Sequence, residues 1–188
     1  MADAQSWRTF RDESAARLLR QTGRDVAEWS ARIAAAAPAD ETALRAWLTA
    51  NGVTGYSAQL LRWETFGYPD FMTASADALV DAQYADRPAL RAIYDAVVAA
   101  ALALGEVTVQ TRKTYVSLLT PRRTFARIQP TTRTRVDVGL RLEGVAPGGR
   151  LAPCKVHDSM PVQFSLASAV ELDDEALGWL QAAYGQNA

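Results

Sequence analysis

The stretch Thr124-Phe125-Ala126-Arg127-Ile128-Gln129-Pro130-Thr131-Thr132-Arg133-Thr134-Arg135-Val136-Asp137-Val138-Gly139-Leu140-Arg141-Leu142 decides the fold. Its second half alternates strictly: Val136, Val138, Leu140 and Leu142 fall to one side, and Arg135, Asp137, Gly139 and Arg141 to the other. A period of two is that of a strand with one buried face. Pro130-Thr131-Thr132-Arg133 interrupts the pattern with turn chemistry, which predicts two antiparallel strands, Thr124–Gln129 and Thr134–Leu142.

The same reading extends outward. Glu106–Gln110 and Lys113–Leu119 precede as strands, with Thr120-Pro121-Arg122-Arg123 as the next turn, and Pro161–Leu166 follows as a fifth strand. Helices bracket the sheet. One runs from Asp86-Arg87-Pro88 to Leu104 and stops at Gly105; the other runs from Leu172 to Tyr184, with Leu177, Leu180 and Tyr184 inward and Ser168 and Glu171 as a capping pair before it. The acidic run Asp173-Asp174-Glu175 suits a helix N-terminus.

Before this region the period is 3.6. Gln5–Gln21 reads as a helix with Trp7, Phe10, Ser14, Arg17 and Leu18 on one stripe, widened by Leu19. A second opens at Asp25 with Val26, Trp29, Ile33 and Ala36 inside, and a third at Asp40 with Leu44, Trp47 and Leu48 inside. A fourth, Thr54–Phe66, turns Ala58, Leu61 and Phe66 inward. Each is too short to be stable alone, so they must share a core. The expected fold class is therefore α+β: an N-terminal helical bundle, then an antiparallel β-meander flanked by two helices. The expected domains are a helical one at 1–67, a connector with a short helix (Ser75 to Gln83) at 68–86, and an α+β one at 87–188.

The chain has 188 residues and a net charge of −1, but the charge is unevenly spread. Residues 106–150 hold nine Arg or Lys and three acids, a balance of +6 against −7 elsewhere. Arg outnumbers Lys 18 to two, a choice that genomic GC bias accounts for without explaining the clustering. A single cysteine, Cys154, excludes an intrachain disulfide, and neither a leader nor a bilayer-length apolar run is visible. These features lead to an expectation of a cytoplasmic protein with no membrane partner.

If five-residue turns join the strands, Val116 and Leu118 lie beside Ile128 and Ala126, and these beside Val136 and Val138. The opposite face would then show Tyr115, Ser117, Phe125, Arg127, Gln129, Arg135, Asp137 and Arg141, with Arg127 directly across from Asp137. Aromatic rings, guanidinium groups and amides on one face could stack bases and neutralise phosphates, or hold a small phosphorylated or carboxylated ligand. The alternative is a solvated face on which arginine stems cover apolar surface. The candidate ligand-binding residues are Tyr115, Arg127, Gln129, Arg135 and Asp137. Other readings place a small-molecule pocket between helical unit and sheet, or a homodimer through the helical unit.

No cofactor, metal or catalytic signature emerges. Cys154 and His157 are too few for structural zinc, which wants four ligands of this type, and read as an incidental loop pair. Gly52 lies between the third and fourth helices in the outline of a helix-turn-helix, but the fourth carries only Arg62 as a positive charge.

Several segments resemble a two-part bacterial family. Thr22-Gly23-Arg24-Asp25-Val26-Ala27-Glu28-Trp29 resembles the opening of its short helical domain of unknown function, and Ala78 to Tyr84 the link that follows. Leu90-Arg91-Ala92-Ile93-Tyr94-Asp95, Lys113 to Ser117, Phe125 to Pro130 and Thr132 to Leu140 resemble its uncharacterised C-terminal domain. Relatives of that domain have carried the label "predicted transport protein", and others are fused to restriction-type nuclease modules. The resemblance implies the two-part architecture and mildly favours nucleic acid as a partner, without naming a chemistry. Two stretches depart from it. The first helix is longer than the family's opening, and His157 to Phe164 lacks the Trp before Met160 and the Thr-His pair after it.

Overall fold

The computed structural model describes residues 7–188. The start of the first helix at Gln5 and the placement of the Trp7 side chain lie outside what is described. The described residues divide into two compact units, one ending at Ala74 and one running from Ser75 to Ala188.

The first unit contains α1 (Trp7–Thr22), α2 (Val26–Ala36), α3 (Glu41–Ala50), α4 (Gly55–Phe66) and the single turn α5 (Asp70–Thr73). Its core is Leu18, Trp29, Ile33, Leu44, Leu48, Val53 and Leu61. Trp29 is the centre: buried, edge-on to Trp47 at 6.0 Å, and donating its Nε1–H to Thr22 Oγ1 at 2.9 Å. That bond satisfies the indole's one polar group. Four expected core positions point outward instead: Ala36, the last residue of α2, is exposed. Leu19 and Phe66 are each 50% exposed, because each sits at the edge of its stripe, and Arg17 lies over the Tyr56 ring at 5.5 Å.

Asp25 and Asp40 cap α2 and α3 as their sequence positions require. Asp25 accepts from the Glu28 N–H at 2.9 Å while Glu28 accepts from the Asp25 N–H at 2.9 Å, a reciprocal capping box. Asp25→Ala should therefore destabilise the helical unit by about 1 kcal/mol. Urea denaturation would register it, and an unchanged midpoint would show the box to be idle.

The second unit opens with α6 (Ala76–Tyr84), capped by Ser75, and α7 (Arg91–Leu102), which a 3₁₀ turn at Pro88–Leu90 introduces. Six strands follow: β1 (Thr108–Thr111), β2 (Val116–Leu119), β3 (Thr124–Gln129), β4 (Val136–Leu140), β5 (Ala152–Pro153) and β6 (Val162–Leu166). They form one antiparallel sheet in the order β1-β2-β3-β4-β6-β5. The two-residue β5, unrecognised in the sequence, is an edge strand containing Pro153, where a proline breaks no ladder. α8 (Asp174–Asn187) closes the unit. Its cap is Asp173, accepting from Ala176 N–H at 3.1 Å, so the Ser168–Glu171 pair instead flanks a separate 3₁₀ turn. Leu177, expected inward, is 36% exposed.

The helices cover one face of this sheet. Val116, Leu118, Ala126, Ile128, Val136, Val138, Leu140, Phe164 and Leu166 pack against Val80, Ile93, Val97, Leu180 and Ala183. Asn187 locks the end of α8 to the sheet: its side-chain amide donates through Nδ2 to Arg141 O at 2.8 Å, and its main-chain carbonyl accepts from Thr120 Oγ1 at 2.6 Å.

Two details of the expected register are corrected. Val116 pairs with Ile128 and Leu118 with Ala126, as the pattern indicates, but Ile128 pairs with Val138 and Ala126 with Leu140. The β3–β4 connection is thus two residues longer in register, which preserves the faces while moving every cross-strand pair. Arg87 holds the wider loop open by donating through Nη1 to Pro130 O at 2.8 Å and Thr132 O at 3.0 Å. The second correction is Phe125. A register shift between Leu118 and Leu119 makes it a bulged residue, and its ring is buried edge-on to Tyr184 at 5.5 Å on the helix side. A bulge re-aims a side chain in this way.

Candidate functional site

The face away from the helices is built on two rungs of the sheet. One aligns Ser117, Arg127, Gly139 and Gln163; the other aligns Gln129, Asp137 and Ser165. Arg127 therefore lies across from Gly139, and the expected Arg127–Asp137 pair does not form.

Gly139 leaves a gap in the first rung, and the loop 154–160 settles into it. A Cβ on Gly139 would stand 2.8 Å from Val156 Cγ2 and 3.1 Å from Cys154 Sγ. Glycine inside a strand commonly marks such a close approach. Gln163 fastens the loop, its Oε1 accepting from the Lys155 N–H at 2.6 Å.

Arg127 is held between loop and sheet. Its Nη1 donates to Val156 O at 3.0 Å, and its guanidinium carbon lies 3.2 Å from the centre of the Tyr115 ring. The residue is only 9% exposed, and its Nε is buried with no hydrogen-bond partner among the described residues. Burial pushes its pKa below the ordinary arginine value, and the adjacent Tyr115 opposes that shift. A desolvated cation without a carboxylate is costly unless other groups compensate. Among the described residues Arg127 has no ion-pair partner; the Tyr115 ring and one carbonyl supply part of the compensation.

A cavity of about 200 Å³ opens beside it. Arg112, Arg127 and Arg141 line it together with Gln110, Tyr115, Ser117 and Thr124, and the loop adds His157, Ser159 and Met160. No aspartate or glutamate lines it. Arg112 is drawn to Tyr115 by a tight turn, its N–H donating to Tyr115 O at 2.9 Å, and its Nη2 donates to Gln110 Oε1 at 2.8 Å. Arg141 is steadied by Nε donating to Thr124 O at 3.0 Å. His157 Nδ1 receives the Ser159 N–H at 3.1 Å and lies 2.7 Å from Ser159 Oγ. A nitrogen that accepts a backbone N–H carries no proton of its own, which puts the neutral ring's proton on Nε2.

The five residues singled out in the sequence separate. Tyr115 and Arg127 meet in this cavity. Gln129 lines a different hollow, with Gln83, Asp86, Arg87, Lys113 and Thr131. Arg135 and Asp137 pair with each other, Nε to Oδ1 at 2.9 Å, and Asp137 also accepts from Thr131 Oγ1 and Ser165 Oγ, each at 2.6 Å. Asp137 is 2% exposed, and both its oxygens are engaged by these partners. Sequence reasoning missed Arg112, and it set His157 aside. Arg141 was placed on the right face but not in the site. The legible signal was Gly139, the one residue without a side chain in the polar series of β4.

Among the described residues no group of three or more His, Cys, Asp or Glu is placed to hold a metal ion, and no helix is long and apolar enough to cross a membrane. Residues 80–187, comprising nearly all of the second unit, match the family model of a domain of unknown function (DUF5655). No curated protein and no solved structure matches the chain.

Proposed function

The chain belongs to the DUF5655 family, and we propose that its domain binds a small anionic ligand, bearing phosphate or carboxylate, in the cavity beside Arg127. The observation that carries this reading is the lining: three arginines and a histidine line a cavity of about 200 Å³, with no aspartate or glutamate among the lining residues. Arg127 is buried with no ion-pair partner among the described residues, and a bound anion would offset that charge. Guanidinium forks suit the planar or tetrahedral oxygens of such groups and bond them more strongly than neutral donors do.

A small ligand fits better than a nucleic acid strand. The loop 154–160 lies across the sheet at Gly139, so the Arg/Tyr face is not the open platform that base stacking uses.

The test is a calorimetric titration of the full chain with inorganic phosphate. Binding should be salt-sensitive, and Arg127→Gln should weaken it at least tenfold. Absence of phosphate binding at millimolar concentration, or binding indifferent to Arg127→Gln, would overturn the reading. Tight binding of a single-stranded oligonucleotide that survives Arg127→Gln would favour the nucleic-acid alternative.

A further inference from the structure

The geometry points to a ligand with two fully ionised anionic groups, one held at each end of the cavity. This inference rests on the anion-binding reading above and refines it. The three arginines do not cluster at one point. Arg112 follows β1 and shares a turn with Tyr115, two residues before the central Ser117–Arg127–Gly139 rung. Arg141 follows β4, two residues beyond that rung. Their backbones are therefore separated by about 13 Å along the strands, at ~3.3 Å per residue, and by roughly 14 Å across three strand spacings. Arg127 stands between them.

The two outer arginines are also anchored on different strands: Arg112 by Gln110 Oε1 of β1, on the central rung, and Arg141 by Thr124 O of β3, three residues from Arg127. Anchors of this kind keep the guanidinium groups apart rather than letting them collapse onto one oxyanion. The cavity, at about 200 Å³, admits on the order of ten water-sized groups, more than one tetrahedral oxyanion fills.

The lining selects for ionisation as well. Its charged groups are all donors, and two of its acceptors, Gln110 Oε1 and His157 Nδ1, are already engaged. A fully deprotonated group would accept from the guanidinium N–H groups, and the hydroxyl-bearing lining residues Tyr115, Ser117, Thr124 and Ser159 can act as donors as well.

Two synthetic probes test this on the full chain: methylphosphonate, with one anionic group, and propane-1,3-bisphosphonate, with two. Calorimetry at matched ionic strength should show the bisphosphonate binding at least tenfold more tightly. Arg112→Gln and Arg141→Gln should each weaken the bisphosphonate at least fivefold and leave methylphosphonate within twofold, while Arg127→Gln weakens both. Arg141→Lys, which keeps the charge, should retain the preference and guards against misreading an unfolded Arg141→Gln variant. If both probes bind equally and both depend on Arg127, the site takes one anion and this inference falls while the anion-binding reading stands. If neither probe binds, both fall.

Discussion

Asp137→Ala is expected to lower the stability of the Ser75–Ala188 unit by about 3 kcal/mol, as a broken buried polar network does. The carboxylate is 2% exposed and joins three elements: the Thr131 hydroxyl of the β3–β4 loop, the Ser165 hydroxyl of β6 and the Arg135 guanidinium beside it. Removing it strands two hydroxyls that have lost their partner, and each such loss costs about 1–3 kcal/mol. Arg135 adds less, because its side chain is about half exposed and water can replace the carboxylate. Asp137→Asn keeps one acceptor oxygen and should cost roughly half as much. Urea denaturation followed by circular dichroism measures both. A loss under 1 kcal/mol for Asp137→Ala would show that solvent already does the carboxylate's work.

Gly139→Val should combine a stability loss of about 2 kcal/mol with at least a tenfold loss of phosphate affinity. Its backbone is not in the left-handed region, so the strand accepts valine readily and the penalty is steric. The new side chain would occupy the space of Val156 and Cys154 and lift the loop 154–160 from the sheet. Arg127 would lose the Val156 carbonyl, and the cavity would lose the wall that carries His157 and Ser159. Gly139→Ala should fall between the two, since its Cβ alone already comes within 2.8 Å of Val156. Paired thermal melts and phosphate titrations would separate the two effects. A folded Gly139→Val variant with native phosphate affinity would remove the loop from the site.

How much of this was legible in the sequence depends on how local the cause was. Strand periodicity in Val136–Leu140 survives any even shift of register, so both faces of β4 were readable from alternation alone. The pairing of Arg127 was not readable, because the loop length that sets it depends on Arg87, 43 residues before Pro130, gripping that loop's carbonyls. Phe125 defeated alternation through a bulge, which is encoded in the pairing of β2 with β3 rather than in either strand alone. The Asp25 and Asp40 caps were readable because a cap acts within three residues of itself. The candidate site was half readable. Tyr115 and Arg127 belong to the patterned strands, whereas His157 reaches the sheet only through the return of an unpatterned loop, and Arg112 through a turn whose geometry no periodicity marks.

The clasp at Asn187 has a practical corollary. The last helical residue is tied to the Arg141 carbonyl and to the Thr120 hydroxyl, so strain at this end of the chain passes directly into the strand end that carries Arg141. A bulky fluorophore or affinity handle joined beyond Ala188 would tug on the very group whose ligand preference is to be measured. Val170, 87% exposed on the 3₁₀ turn between β6 and α8, offers a quieter place for a reporter.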